Sequence, residues 1–105
     1  MKDLNVTAME IIAFAGDASV SGGKAVECLK KKEFTASQDA LDDAAAFIAK
    51  AHNAQTEIIQ EALKNGISEY SLLFSHAQDT LMTIESELRI YQVLLDLEKV
   101  REEKR

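Results

Sequence analysis

No proline interrupts the chain between Met1 and Arg105, and apolar residues recur at alternating spacings of four and three over most of its length. A backbone without proline keeps every amide available for the helical hydrogen-bond ladder, and this spacing gathers side chains on one stripe of a helix. Long stretches of Ala, Leu, Ile, Glu and Lys, with only four glycines, favour helix over strand. The expected fold class is all-α. At 105 residues the chain suits one domain, spanning 1–105, with a single modest core to which association would add stability.

Three helices are predicted, over about 7–31, 35–64 and 68–104. Thr7-Ala8-Met9-Glu10 and Thr35-Ala36-Ser37-Gln38 have the capping-box form, in which a hydroxyl and a side chain three residues on satisfy each other's exposed amides. Asn65-Gly66 suits the left-handed residue after a helix end, and Ser68 with Glu69 suits the start of the third helix. The first seam is Ile11, Ala15, Ala18, Gly22, Ala25 and Leu29. The second is Leu41, Ala45, Ile48, His52, Gln55, Ile59 and Ala62. Short connections at 32–34 and 65–67 force neighbouring helices antiparallel, giving an up-down-up three-helix bundle. Gly22-Gly23 inside the first helix costs about 0.5–1 kcal/mol per glycine relative to alanine, a conflict that close helix approach or a local kink would explain. Ser21-Gly22-Gly23-Lys24 follows no strand and lacks the spacing of a phosphate-binding loop.

The charge balance of 12 Lys and Arg against 18 Asp and Glu, net −6, argues against a nucleic-acid footprint or adhesion to an anionic membrane. No run of eighteen apolar residues exists, and Met1-Lys2-Asp3-Leu4-Asn5 lacks the regions of a secretory signal, so a cytoplasmic location is expected. The lone Cys28 reads as a packing residue.

On the third helix, Leu73, Ala77, Leu81, Ile84, Leu88, Tyr91 and Leu95 form the stripe assigned to the core. A second stripe of Leu72, His76, Asp79, Thr83, Ile90, Leu94 and Leu97 lies roughly 90° to 120° away. Three antiparallel helices do not cover it. The second helix shows a similarly wide arc, with Ala44, Phe47, Ala51, Ala54 and Ile58 beside its seam. Apolar faces this long mark interfaces, so a homo-oligomer is expected, with His76 near the subunit contact. Asp79 then has two readings: a solvated rim carboxylate, or one of several copies converging on a symmetry axis around a hard divalent cation.

His76 carries the candidate chemistry. A lone helical histidine is ordinarily a hydrogen-bonded structural residue, yet an unprotonated imidazole near pH 7 is also a nucleophile that accepts and surrenders phosphoryl groups. Gln78, Thr83 and His52 are the candidate hydrogen-bond partners for such a group; His52 also reads as a structural residue of the second seam. No Ser-His-Asp or Cys-His set, Walker loop or dinucleotide fingerprint is present.

At these residues the chain resembles the lactose/cellobiose-type IIA component of the bacterial phosphoenolpyruvate-dependent sugar phosphotransferase system. The segments that carry the resemblance are Tyr70-Ser71 through SHAQDTLMT at 75–83, then EIIAFAGDA at 10–18 and AHNAQT at 51–56, all in the family's order. The resemblance implies a homotrimer, a nine-helix assembly, in which His76 is phosphorylated by the phosphocarrier HPr. The phosphoryl group would pass to a cysteine of the cognate IIB component and then to sugar moved by the membrane IIC component. It also implies that Asp79 and its symmetry mates gather at a metal on the threefold axis, with Mg2+ the expected ion. Two departures stand out: Thr80 occupies the last position of the family's HxQDH pattern, and Gly22-Gly23 stand where apolar residues are usual. The competing readings are a non-catalytic helical adaptor and a histidine phosphotransfer domain of a two-component relay. The latter generally has four helices and Lys-Gly a few residues after its histidine, where this chain has Thr80-Leu81.

Overall fold

The computed structural model describes residues 3–66 and 71–105, and within them every regular element is a helix: α1 Leu4–Lys30, α2 Phe34–Asn65 and α3 Leu72–Glu103. All three pairs of helices touch, in a rod of 59 × 19 × 18 Å. Antiparallel pairing of α2 and α3 follows from their contacts, since Gln38 meets Gln92 while His52, further along α2, meets the earlier Glu85. α1 and α3 run parallel, with Asn5 beside Ser71 and Gly22 beside Leu88 and Tyr91. The bundle is up-down-up, as expected.

The starts of α1 and α2 differ from their sequence expectations. α1 begins a turn before Thr7, because Asp3 Oδ1 accepts from the amides of Asn5 (2.8 Å) and Val6 (3.2 Å) and does the capping. The added turn carries Thr7 and Ala8 into the core, where the Thr7 hydroxyl has no partner among the described residues. α2 begins at Phe34 with Glu33 as its cap and no side-chain cap bond, so Thr35 is helical. Ser37 is instead used across the interface, its hydroxyl donating to the Ala25 carbonyl at 2.8 Å. α3 is described from Leu72, capped by the Ser71 hydroxyl, which accepts from Phe74 N at 3.0 Å; Ser68 and Glu69 lie outside the described residues. At the end of α2, Gly66 has φ +75°, the positive value expected of it.

The core joins Ile11, Ala15 and Ala18 of α1 to Ala44, Ile48, Ala51 and Ala54 of α2 and Ala77 and Leu81 of α3. Ala25, Ala40, Leu41 and Leu95 form a second cluster toward the other end. Complete burial of Ile11, Leu81 and Leu95 is worth about 1.5–3 kcal/mol each. The α1 and α3 stripes face inward as read. The α2 stripe is corrected in part: Leu41 and Ile48 of the predicted seam are buried, but they share the buried arc with Ser37, Ala40, Ala44, Ala51, Ala54 and Ile58, whose common centre lies about 60° from that seam, leaving Ala45 and Ile59 exposed and His52 at the edge. Alanine allows close backbone approach, whereas a seam centred on His52 and Gln55 would strip two polar side chains of water.

Gly22 settles the sequence conflict in α1 as close approach. A Cβ there would stand 2.8 Å from Leu88 Cδ2 and 3.4 Å from Tyr91 Cε2, whereas one at Gly23 would meet nothing within 4 Å. Burial, reinforced by the Glu87 carboxylate at 3.3 Å, holds the Tyr91 phenol above its ordinary 10.0. Cys28 is half-buried and free.

Candidate functional site

α3 places His76 beside the core without putting it inside. Ala77 and Leu81 anchor the inward face, and residue 76, about 100° from Ala77, falls on the outer side and is exposed. Ser71 fixes the start of this helix twice, capping it and donating to Asn5 Oδ1 of α1 at 3.1 Å. The site therefore stands on a helix turn tied to two elements.

Asp79 and Thr83 share that outer face and are also exposed, one and two turns beyond His76. The same face continues through Leu72 (73% exposed), Ile90 (56%), Leu94 (45%) and Leu97 (60%). Among the described residues nothing covers it, as the second-stripe reading expects. Met82, Val93 and Val100 widen the exposed apolar surface along one flank.

Gln78 and His52 are not gathered at His76. Gln78 emerges about 200° around the helix, half-buried on the side toward α2. His52 Nε2 lies 3.1 Å from Glu85 Oε1, and Glu85 is nine residues past His76, half a turn around and about 13.5 Å along the axis. The structure instead joins Thr80 to His76: the Thr80 hydroxyl donates to the His76 carbonyl at 2.8 Å. The i, i+4 spacing is the signal for that contact; the sequence places Thr80 next to the site, as a departure from the family pattern that bears on exchange, without naming it as a hydrogen-bond partner.

No cation among the described residues pairs with Asp79, and none of their His, Cys, Asp and Glu side chains form a group of three able to hold a metal within one chain. A carboxylate exposed on an uncovered face suits a ligand set drawn one oxygen donor from each of several chains. No helix among the described residues is long and apolar enough to cross a membrane.

Comparison with known proteins gives a consistent result. The family model described as PTS system, lactose/cellobiose specific IIA subunit, matches residues 6–99. The lactose-specific EIIA component of Staphylococcus epidermidis is 35% identical over 81 residues, covering 77% of this chain and 78% of the relative. The lichenan-specific phosphotransferase enzyme IIA component of Bacillus subtilis is 32% identical over 96 residues, 90% of this chain and 87% of the relative. Among solved structures, the cellobiose-specific enzyme IIA of Bacillus anthracis superposes with a TM-score of 0.89 at 28% identity, covering 100% of this chain and 96% of that one. PtcA of S. mutans gives 0.88 at 31% identity, covering 94% and 99%.

Proposed function

Because the chain belongs to the lactose/cellobiose-specific IIA subunit family of the sugar phosphotransferase system, we propose that it is a phosphoryl carrier in which His76 is the acceptor. The observation that carries this reading is an exposed imidazole, within the family-like segment 75–83, on a helix face that the described residues of its own chain leave uncovered. An accessible ring reaches an incoming carrier; an apolar surround restricts water once that face is covered.

The transfer is a pair of displacements at phosphorus. One ring nitrogen of His76 attacks the phosphohistidine of HPr; its N–P bond forms as the donor's N–P bond breaks, and the donor imidazole leaves with the electron pair. A cysteine thiolate of the IIB component then attacks the same phosphorus, an S–P bond replaces the N–P bond, and His76 regains its lone pair. Delivery to sugar follows at the IIC membrane component, which this chain serves indirectly. The site of action is cytoplasmic.

The uncovered α3 face supports a homotrimer, in which Leu72, Ile90, Leu94 and Leu97 are covered by sister chains and Asp79 approaches its copies. Asp79 from each chain would hold a divalent ion, Mg2+ by its preference for carboxylate oxygen, whose charge offsets the repulsion among the carboxylates. Thr83 on the same face, with Gln78 and His52 supplied through the assembly, completes the set of candidate donors to phosphoryl oxygens.

Incubation with phosphoenolpyruvate, the general phosphotransferase enzymes and HPr tests the reading. Acid-labile phosphate should appear on His76 and be absent from the His76→Ala variant; label retained by that variant would rule the assignment out. A wild-type chain that takes up no label would favour a non-catalytic adaptor.

A further inference from the structure

We propose that Thr80 binds the phosphoryl group carried by His76, its hydroxyl turning from the His76 carbonyl to a phosphoryl oxygen. This rests on the carrier reading above. Thr80 is one turn beyond His76 on the same side of α3, and helical side chains lean toward the amino end, so its hydroxyl overhangs the turn that bears the imidazole. In the unmodified chain that hydroxyl donates to the His76 carbonyl at 2.8 Å. The carbonyl still accepts the ordinary helical bond from the Thr80 amide when the hydroxyl departs. Threonine in a helix has two accessible χ1 wells, so the exchange needs no backbone movement.

A phosphoryl group brings roughly two negative charges and three acceptor oxygens, which makes it a better partner than a neutral carbonyl already in use. The other candidate donors are less well placed within the chain. Gln78 leaves the helix on another side, Thr83 is about 10.5 Å along the axis from His76, and His52 is engaged with Glu85. Thr80 is half-buried and carries no charge in either state, so it adds a donor without adding a titrating group.

The difference between a hydrogen bond to a charged acceptor and one to a neutral carbonyl corresponds to about five- to tenfold in an equilibrium constant. Phosphoryl partition between HPr and this protein should therefore move about five- to tenfold toward HPr in Thr80→Val and Thr80→Ala, and stay near wild type in Thr80→Ser, which keeps the hydroxyl. The phosphorus NMR resonance of phosphohistidine should shift in the first two variants. Alanine, the best helix former, secures a folded variant should valine disturb the half-buried position. Partition unchanged in both hydroxyl-free variants, or lost equally in Thr80→Ser, overturns the proposal while the carrier reading stands. Absence of label on the wild-type protein overturns the carrier reading itself.

Discussion

Gly22 and Gly23 are neighbours in sequence with opposite physical meanings. At Gly22 the missing side chain lets α1 reach Leu88 and Tyr91, so a branched residue there must displace a leucine and an aromatic ring. Gly22→Val should lower stability by about 1–3 kcal/mol, the usual cost of overpacking. Gly23 is exposed with nothing near its absent Cβ, so it carries the entropic cost of glycine without a packing return. Gly23→Ala should raise stability by about 0.5–1 kcal/mol. Urea denaturation of the two variants checks both signs, and equal effects would remove the distinction. The sequence posed this conflict and favoured close approach or a kink; only the facing side chains of α3 showed which glycine was responsible.

Among the elements, the α1–α2 connection ends a helix without glycine. Lys32 takes φ +60°, its amide donates to the Leu29 carbonyl at 2.9 Å and the Glu33 amide to the Cys28 carbonyl at 2.9 Å, the Schellman pattern. A lysine in that conformation carries the Cβ strain that glycine avoids. Its ion pair with Glu102, at 3.5 Å between half-exposed groups, returns little. Lys32→Gly should raise the urea midpoint by an amount equivalent to about 0.5–1 kcal/mol. Helix number and order were legible from spacing, and α1 and α3 present the stripes they spell. Helix starts were less legible, because several residues qualify as caps: Asp3 competes with Thr7, and which one serves depends on whether Thr7 and Ala8 find a core to enter. The α2 stripe was misread because alanine lines and mixed lines run side by side along it, and periodicity does not rank them.

At the scale of the molecule, a rod about 19 Å across has too little cross-section to bury both apolar stripes of α3. If sister chains cover the outer stripe, wild-type protein should sediment with the mass of three chains. The double variant Ile90→Lys, Leu94→Lys should sediment as one chain with its helical circular dichroism retained, since neither residue supports the core within a chain. A single-chain mass for wild type would defeat the trimer and, with it, the shared site at Asp79. The candidate acceptor was legible early, because a histidine beside Gln78 and Asp79 in a recognisable segment needs no coordinates to be noticed. Its neighbours were not, because proximity in sequence differs from proximity on a helix: Gln78, two residues away, points elsewhere, while Thr80, four away, touches the His76 backbone.

The order of residues alone determined that this chain is helical, roughly where its three helices lie and which histidine faces outward, since all three follow from local periodicity and the lack of proline. Tertiary packing decided which line of α2 is buried and why Gly22 is tolerated. Those outcomes depend on what stands opposite each residue across the bundle, information that one-dimensional spacing does not contain.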